Sequence, residues 1–200
     1  LGREDSNIKL DLNGYKIKYK SPDQPLFNIT GGAKLTVMDG QQAAVDDPTG
    51  DKYVCSDNTS SKNGNLASVA PDETSNIPTN LTYYVTGSSV NPDGISTTEA
   101  LYKHEATIGG AIVACSGNDQ LKLINLYGTN GKGGTFNLES GVLTQGQGCK
   151  VANLVYAENG STVNMSGGYV CGASTGISGT GAGIMVSNEK GAASTLNLTG

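Results

Sequence analysis

The sequence predicts an all-β chain wound as a solenoid, on three observations. The first is a phrase repeated in the C-terminal third: Thr135-Phe-Asn-Leu-Glu-Ser-Gly-Val-Leu-Thr144, then Thr162-Val-Asn-Met-Ser-Gly-Gly-Tyr-Val-Cys171, then Thr195-Leu-Asn-Leu-Thr-Gly200. The copies start 27 and 33 residues apart. A period in that range belongs to coils that stack because none can bury its own apolar face. The second is composition: 29 glycines, no Trp and two Phe in 200 residues suit many tight turns and small stacked side chains. The third is the want of any long segment with apolar residues at i, i+3, i+4 and i+7, so little helix is expected.

The elements follow in order. Ile8, Leu10 and Leu12 alternate with Lys9 and Asp11 as a half-buried strand that ends at the turn signal Asn13-Gly14. Tyr15, Ile17 and Tyr19 alternate with Lys16, Lys18 and Lys20, a second strand with one basic face. Leu26–Ile29 and Lys34–Met38 follow, the latter echoing the C-terminal repeat. Residues 41–105 break the rhythm with Pro48, Pro71, Pro78 and Pro92 among dense Ser, Thr, Asn and Asp. Their one clear strand is Leu81–Val85, and the segment reads as an insertion projecting from the solenoid, because so long a structureless loop is unexpected in a compact domain. Periodicity resumes over Ala106–Ala114 and Leu121–Leu126 and continues through residues 106–200.

Within the clear repeats each coil holds three short strands. Thr135–Leu138, Val142–Thr144 and Leu154–Ala157 make one set, and Gly183–Val186 is the third strand of the next. That is the arithmetic of a parallel β-helix. Phe136, Val163 and Leu196 should stack in one inward column and Leu138, Met165 and Leu198 in another. Asn137, Asn164 and Asn197 lie between these columns and should face outward, or form a ladder if the backbone turns there.

Two passages carry a family resemblance. Asp11-Leu-Asn-Gly-Tyr-Lys-Ile17 followed by Ala33-Lys-Leu-Thr-Val37 resembles the "LDLNGxxI … xLTIxDxG" opening of right-handed parallel β-helix domains in large bacterial cell-surface and secreted, adhesin-like proteins. Gly134–Leu143 and Gly181–Val186 are similar to that group's "GGTFTMNGGTI … GGGIYV" coils. The resemblance covers residues 1–40 and 106–200 and implies a right-handed β-helix at the cell surface or outside the cell; the insertion has no counterpart in it. It leaves activity open, since one fold hosts many functions.

The net charge of −5 is concentrated in residues 41–105, where nine acids face Lys52, Lys62 and Lys103; no basic stripe of a nucleic-acid binder is present. There is no initiator Met, signal peptide or membrane span, and both ends look cut, so a piece of a longer protein is expected, its coils continuing past Gly200 or capped there. Cys55, Cys115, Cys149 and Cys171 lack CxxC spacing, which argues against zinc and leaves free thiols or one or two disulfides open.

Catalytic chemistry finds few parts. His104 is the single histidine, in the polar run Tyr102-Lys-His-Glu105, and reads as a surface residue. Arg3 is the single arginine, and Lys16, Lys18, Lys122 and Lys150 have no matched carboxylate set for a polysaccharide lyase. Asp46, Asp47, Asp51 and Asp57 are the dense acids; a glycoside hydrolase needs such pairs, and Asp46, Asp47 and Asp51 are the candidate ligands for Ca²⁺, although DxDxDG spacing is missing. The alternative is a solvated acidic loop. Tyr53, Tyr83, Tyr84 and Tyr102 cluster in the insertion and are the candidate contact surface for a glycan or a host or cell-surface ligand; the alternative is that they pack the insertion onto the solenoid. The expectation is a non-catalytic, extracellular or surface module with no cofactor beyond that Ca²⁺. A carbohydrate-active enzyme and a module that self-associates through its solenoid ends are the other readings.

Overall fold

The computed structural model describes residues 4–21, 23–41, 46–54, 80–86, 100–107, 109–116, 121–129, 131–145, 151–170, 182–188 and 191–199; in 46–54, 80–86, 100–107 and at Ser116 it describes the backbone. The described residues contain strands and turns and no helix. The fold is a right-handed parallel β-helix of three sheets.

Each coil contributes one strand to each sheet. The first coil is β1 (Asn7–Asp11), β2 (Lys16–Lys20) and β3 (Phe27–Ile29). The second opens with β4 (Lys34–Met38), leaves the solenoid for β5 (Asp46–Val54), β6 (Asn80–Thr86) and β7 (Ala100–Thr107), and returns for β8 (Ala111–Ser116) and β9 (Lys122–Leu126). The third is β10 (Thr135–Leu138), β11 (Val142–Gln145) and β12 (Asn153–Ala157). The fourth is β13 (Thr162–Met165), β14 (Tyr169–Val170) and β15 (Ala182–Val186), and β16 (Thr195–Leu198) starts a fifth. Sheet A runs β1-β4-β10-β13-β16, sheet B β2-β8-β11-β14 and sheet C β3-β9-β12-β15, every pairing parallel.

Register explains why the repeated phrase folds this way. Thr135, Phe136, Asn137 and Leu138 pair one-for-one with Thr162, Val163, Asn164 and Met165, and these with Thr195, Leu196, Asn197 and Leu198. A slip by one residue would put every apolar side chain outside, so the phrase fixes its own register. Leu35, Phe136 and Val163 form one inward column and Val37 and Leu138 the next, all buried. With Ile112, Leu143, Leu126, Ala157 and further inward-facing residues they make one continuous core between the sheets.

Four expectations change. Tyr15 is 74% exposed rather than part of an alternating strand, because β2 begins only at Lys16, after the Asn13-Gly14 turn. The Ala106–Ala114 run is divided between β7 and β8 by a turn at Gly109-Gly110. The asparagines both face outward and form a ladder, with no turn in the strand. The insertion holds three strands, not one: β5-β7-β6 is an antiparallel sheet, sheet D. The sequence of β5 hides a strand because it contains Pro48 and Gly50. As an edge strand pairing on one side only, with a register irregularity between Pro48 and Lys52, it tolerates both.

The outer faces of the three solenoid sheets differ. On sheet A they are polar and at least partly exposed from β10 onward. On sheet B, Ala111, Val113, Val142 and Thr144 alternate with core-facing Ile112 and Leu143 and so point away from the core, yet each is fully buried.

Candidate functional site

Two features of the described residues stand out. One is the root of the insertion. The other is the outer face of sheet A.

At the corner between sheets A and B the third and fourth coils turn in three residues, Glu139-Ser140-Gly141 and Ser166-Gly167-Gly168. Gly141 has φ +90° and Gly168 φ +76°, a conformation that a Cβ disfavours. In the second coil Met38 and Asp39 take the places of Glu139 and Ser140, and Gly110 that of Gly141: Asp39 N–H donates to Ser140 Oγ at 2.7 Å and Val142 N–H to Gly110 O at 3.0 Å. Residues 40–109 are therefore an excursion from a single three-residue corner.

Two carboxylates close its root. Asp39 is buried, and its Oδ1 accepts Gly14 N–H at 2.6 Å and Gln41 N–H at 3.3 Å, while Oδ2 accepts Gly110 N–H at 2.8 Å. One side chain thus joins the first coil, the start of the excursion and its end. Asp11 Oδ1 accepts Gly40 N–H at 2.8 Å and Asn13 N–H at 2.9 Å, and these two bonds, Gly40's first, hold its carboxyl below the usual 3.8. A Cβ on Gly110 would lie 2.6 Å from Asp39 Cγ, so the closure requires glycine there. The spacing of Asp11, Asp39 and Gly110 along the chain gave no sign of this.

On the outer face of sheet A a column of side chains is bonded coil to coil. Asn137 Nδ2 donates to Thr36 Oγ1 at 2.9 Å, Asn164 Nδ2 to Asn137 Oδ1 at 2.8 Å and Asn197 Nδ2 to Asn164 Oδ1 at 2.8 Å. All the amides point the same way, and a parallel column Thr135, Thr162 and Thr195 runs beside them. Strand spacing sets the period of this polar surface at roughly 4.8 Å. On sheet C, Asn125 Nδ2 donates to Asn28 Oδ1 at 2.9 Å, and Lys122 Nζ lies 3.6 Å from the centre of the Tyr156 ring.

The residues singled out from sequence fall in sheet D. Tyr102 of the central strand β7 pairs with Lys52 and with Val85, Tyr83 pairs with His104, Tyr84 with Lys103 and Tyr53 with Leu101. One small sheet therefore gathers all four tyrosine backbones. Asp46 pairs with Ala106, Asp47 with Glu105, and Asp51 lies in the irregular stretch before Lys52. The side chains of all seven, and residues Asp57, Cys55, Cys149, Cys171 and Lys150, lie outside the described residues. Among the described residues no group of three or more His, Cys, Asp or Glu is placed to hold a metal ion, and no helix is long and apolar enough to cross a membrane. Cys115 is a free thiol, half-buried; burial pushes its pKa up against the opposing pull of Lys18 and Lys20.

Comparison with protein-family models, curated proteins and solved structures gave no match.

Proposed function

We propose that this chain is a non-catalytic module of a secreted or cell-surface protein, an adhesin-type stalk or scaffold that binds a glycan or another surface ligand. The observation that carries this reading is the outer face of sheet A: a rigid, regular polar surface of Asn and Thr whose columns are bonded through successive coils. A surface of that kind suits repeated hydrogen bonding to a polymer better than it suits a single reacting centre. The acids at the root of the insertion point the same way, because Asp39 and Asp11 are engaged by backbone N–H groups. Sheet D gathers the backbones of Tyr53, Tyr83, Tyr84 and Tyr102, a residue type with an apolar ring and a polar tip that suits contact with sugars. The resemblance to bacterial surface β-helices supports the extracellular placement.

The test is incubation with a panel of pectin, alginate, glycosaminoglycan and mucin glycans, scoring retention and new chain ends together. Retention without new ends is expected. New unsaturated or reducing ends, abolished by Asp47→Ala or by a chelator, would make the protein a polysaccharide lyase or hydrolase instead.

A second reading, assembly through the coil ends, has one specific observation behind it. Leu198 on the outer strand β16 is 65% exposed beside a groove of about 320 Å³ formed with Met165, Gly168 and Thr199. Sedimentation that shifts with protein concentration, and stops shifting in Leu198→Lys, would favour it.

A further inference from the structure

The first coil carries a row of cations that the fold does not neutralise. Ile17 and Tyr19 of β2 pack against the core, so Lys16, Lys18 and Lys20, at the alternate positions, project from the outer face of sheet B. Alternate residues of a strand lie about 6.8 Å apart, which sets three ammonium groups along one line. Lys18 and Lys20 are exposed and Lys16 is half-buried. The residues paired with them on β8, Ala111, Val113 and Ser116, carry no charge. The acids around this coil are engaged elsewhere. Asp11 and Asp39 accept backbone N–H groups, Glu4 and Asp5 hold Lys132, and Glu139 holds Lys9. Among the described residues, none of Lys16, Lys18 and Lys20 is in an ion pair.

An aromatic ring stands at the head of the row. Tyr15 is 74% exposed, yet its backbone is fixed on both sides: its N–H donates to Leu12 O at 2.8 Å and its carbonyl accepts Ala111 N–H at 3.2 Å. Gly14 before it is held by Asp39, so the ring sits beside the root of the insertion. An exposed ring on a rigid backbone loses little freedom when a flat apolar face stacks on it.

We infer that Tyr15, Lys16, Lys18 and Lys20 form a subsite for an anionic glycan, a polymer of uronate or sulfated sugars. A sugar face stacks on Tyr15 while the carboxylates or sulfates lie along the lysines. Like charges on one face repel, and a polyanion relieves that repulsion where a neutral sugar does not. The lysines leave from the face of the sheet, so a strand paired to the edge of β2 would not cover them. This subsite rests on the glycan-binding reading above and names the class of glycan. Cys115 supplies a sensor: burial raises its pKa, and Lys18 and Lys20 pull against that rise.

The test is retention of the full chain on immobilised polygalacturonate and chondroitin sulfate, beside neutral dextran. Both anionic polymers should retain it and dextran should not, with release in about 1 M salt, where the screening length falls to about 3 Å. Replacing Lys16, Lys18 and Lys20 together by Gln should weaken retention about tenfold with the urea midpoint unchanged. Tyr15→Ala should weaken it about threefold. Replacing Lys9, Lys34 and Lys132 by Gln makes the same charge change elsewhere and should leave retention as it was. Bound chondroitin sulfate should also shift the pH profile of Cys115 alkylation upward. Equal retention by the two triple variants would overturn the subsite, as would duplex DNA held as tightly through the same lysines. Retention on dextran that neither triple variant changes would also overturn it and leave the glycan reading standing. Retention on none of the three polymers would sink both.

Discussion

The coils and the insertion build β-structure in opposite ways. In the coils each strand pairs with one a full turn away, parallel, in a register set by repeated residues; in sheet D neighbouring strands pair antiparallel within residues 46–107. The coils form one core shared along the axis, so a local defect is felt by every neighbour. The insertion enters and leaves at one corner, where Asp39 holds both ends, so its contents can change while the coils above and below keep their register. That division gives rigidity to the solenoid, and the proposed function places recognition on the excursion.

Substitutions in the two regions should therefore have different consequences. The largest effect belongs to Phe136→Ala, which empties a fully buried position between Leu35 and Val163 and should cost about 3–5 kcal/mol in urea unfolding, within the range for aromatic truncation in a core. Next is Asp39→Ala, which strips the partners from Gly14 and Gly110 N–H and should cost about 1–3 kcal/mol, chiefly for the buried Gly110 donor left unpaired. In hydrogen exchange, the amides of Gly14 and Gly110 should lose protection first; if they keep it, the root is not held by this carboxylate. Asn164→Ala breaks two rungs of the ladder and should cost about 1 kcal/mol, seen as a lowered urea midpoint with an unchanged slope.

The smallest effect is that of Asp11. Its carboxyl is held below 3.8, so its contribution is fully present above about pH 4 and is lost as pH falls through the lowered native value. Asp11→Asn should flatten that part of the acid stability profile and change nothing at pH 7 beyond the loss of a solvent-exposed bond. By contrast, Tyr84→Ala should leave the unfolding midpoint in place while weakening ligand retention. A midpoint shift as large as that of Asn164→Ala would erase the distinction between the two regions.

The solenoid was legible because its signal is repetition. Thr-apolar-Asn-apolar at positions 135, 162 and 195 states the inward columns, the outward column and the register at once. The ladder itself was half visible: matched asparagines show in the sequence, but their common polarity depends on side-chain rotamers set by the coil above. Edge strand β5 stayed hidden because Pro48 and Gly50 are breakers everywhere except where one side of a strand needs no partner. The root was not visible at all, since Asp11, Asp39 and Gly110 come together only when two coils stack with the excursion between them. The buried outer face of sheet B was equally hidden, because Ala111 and Val113 in a strand read as ordinary core. The functional role of Tyr53, Tyr83, Tyr84 and Tyr102 is a proposal for the same reason: sequence places them in one segment, and only pairing divides them between two faces.

Excision of residues 40–109, joining Asp39 directly to Gly110, tests the central claim most directly. The joined residues would stack on Ser140 and Gly141, which are themselves bonded, and restore a three-residue corner. The account predicts a chain that keeps its β circular-dichroism signal per residue and unfolds in one cooperative transition. A chain with no cooperative transition would show that the coils depend on the insertion to fold, and the division between scaffold and excursion would fall.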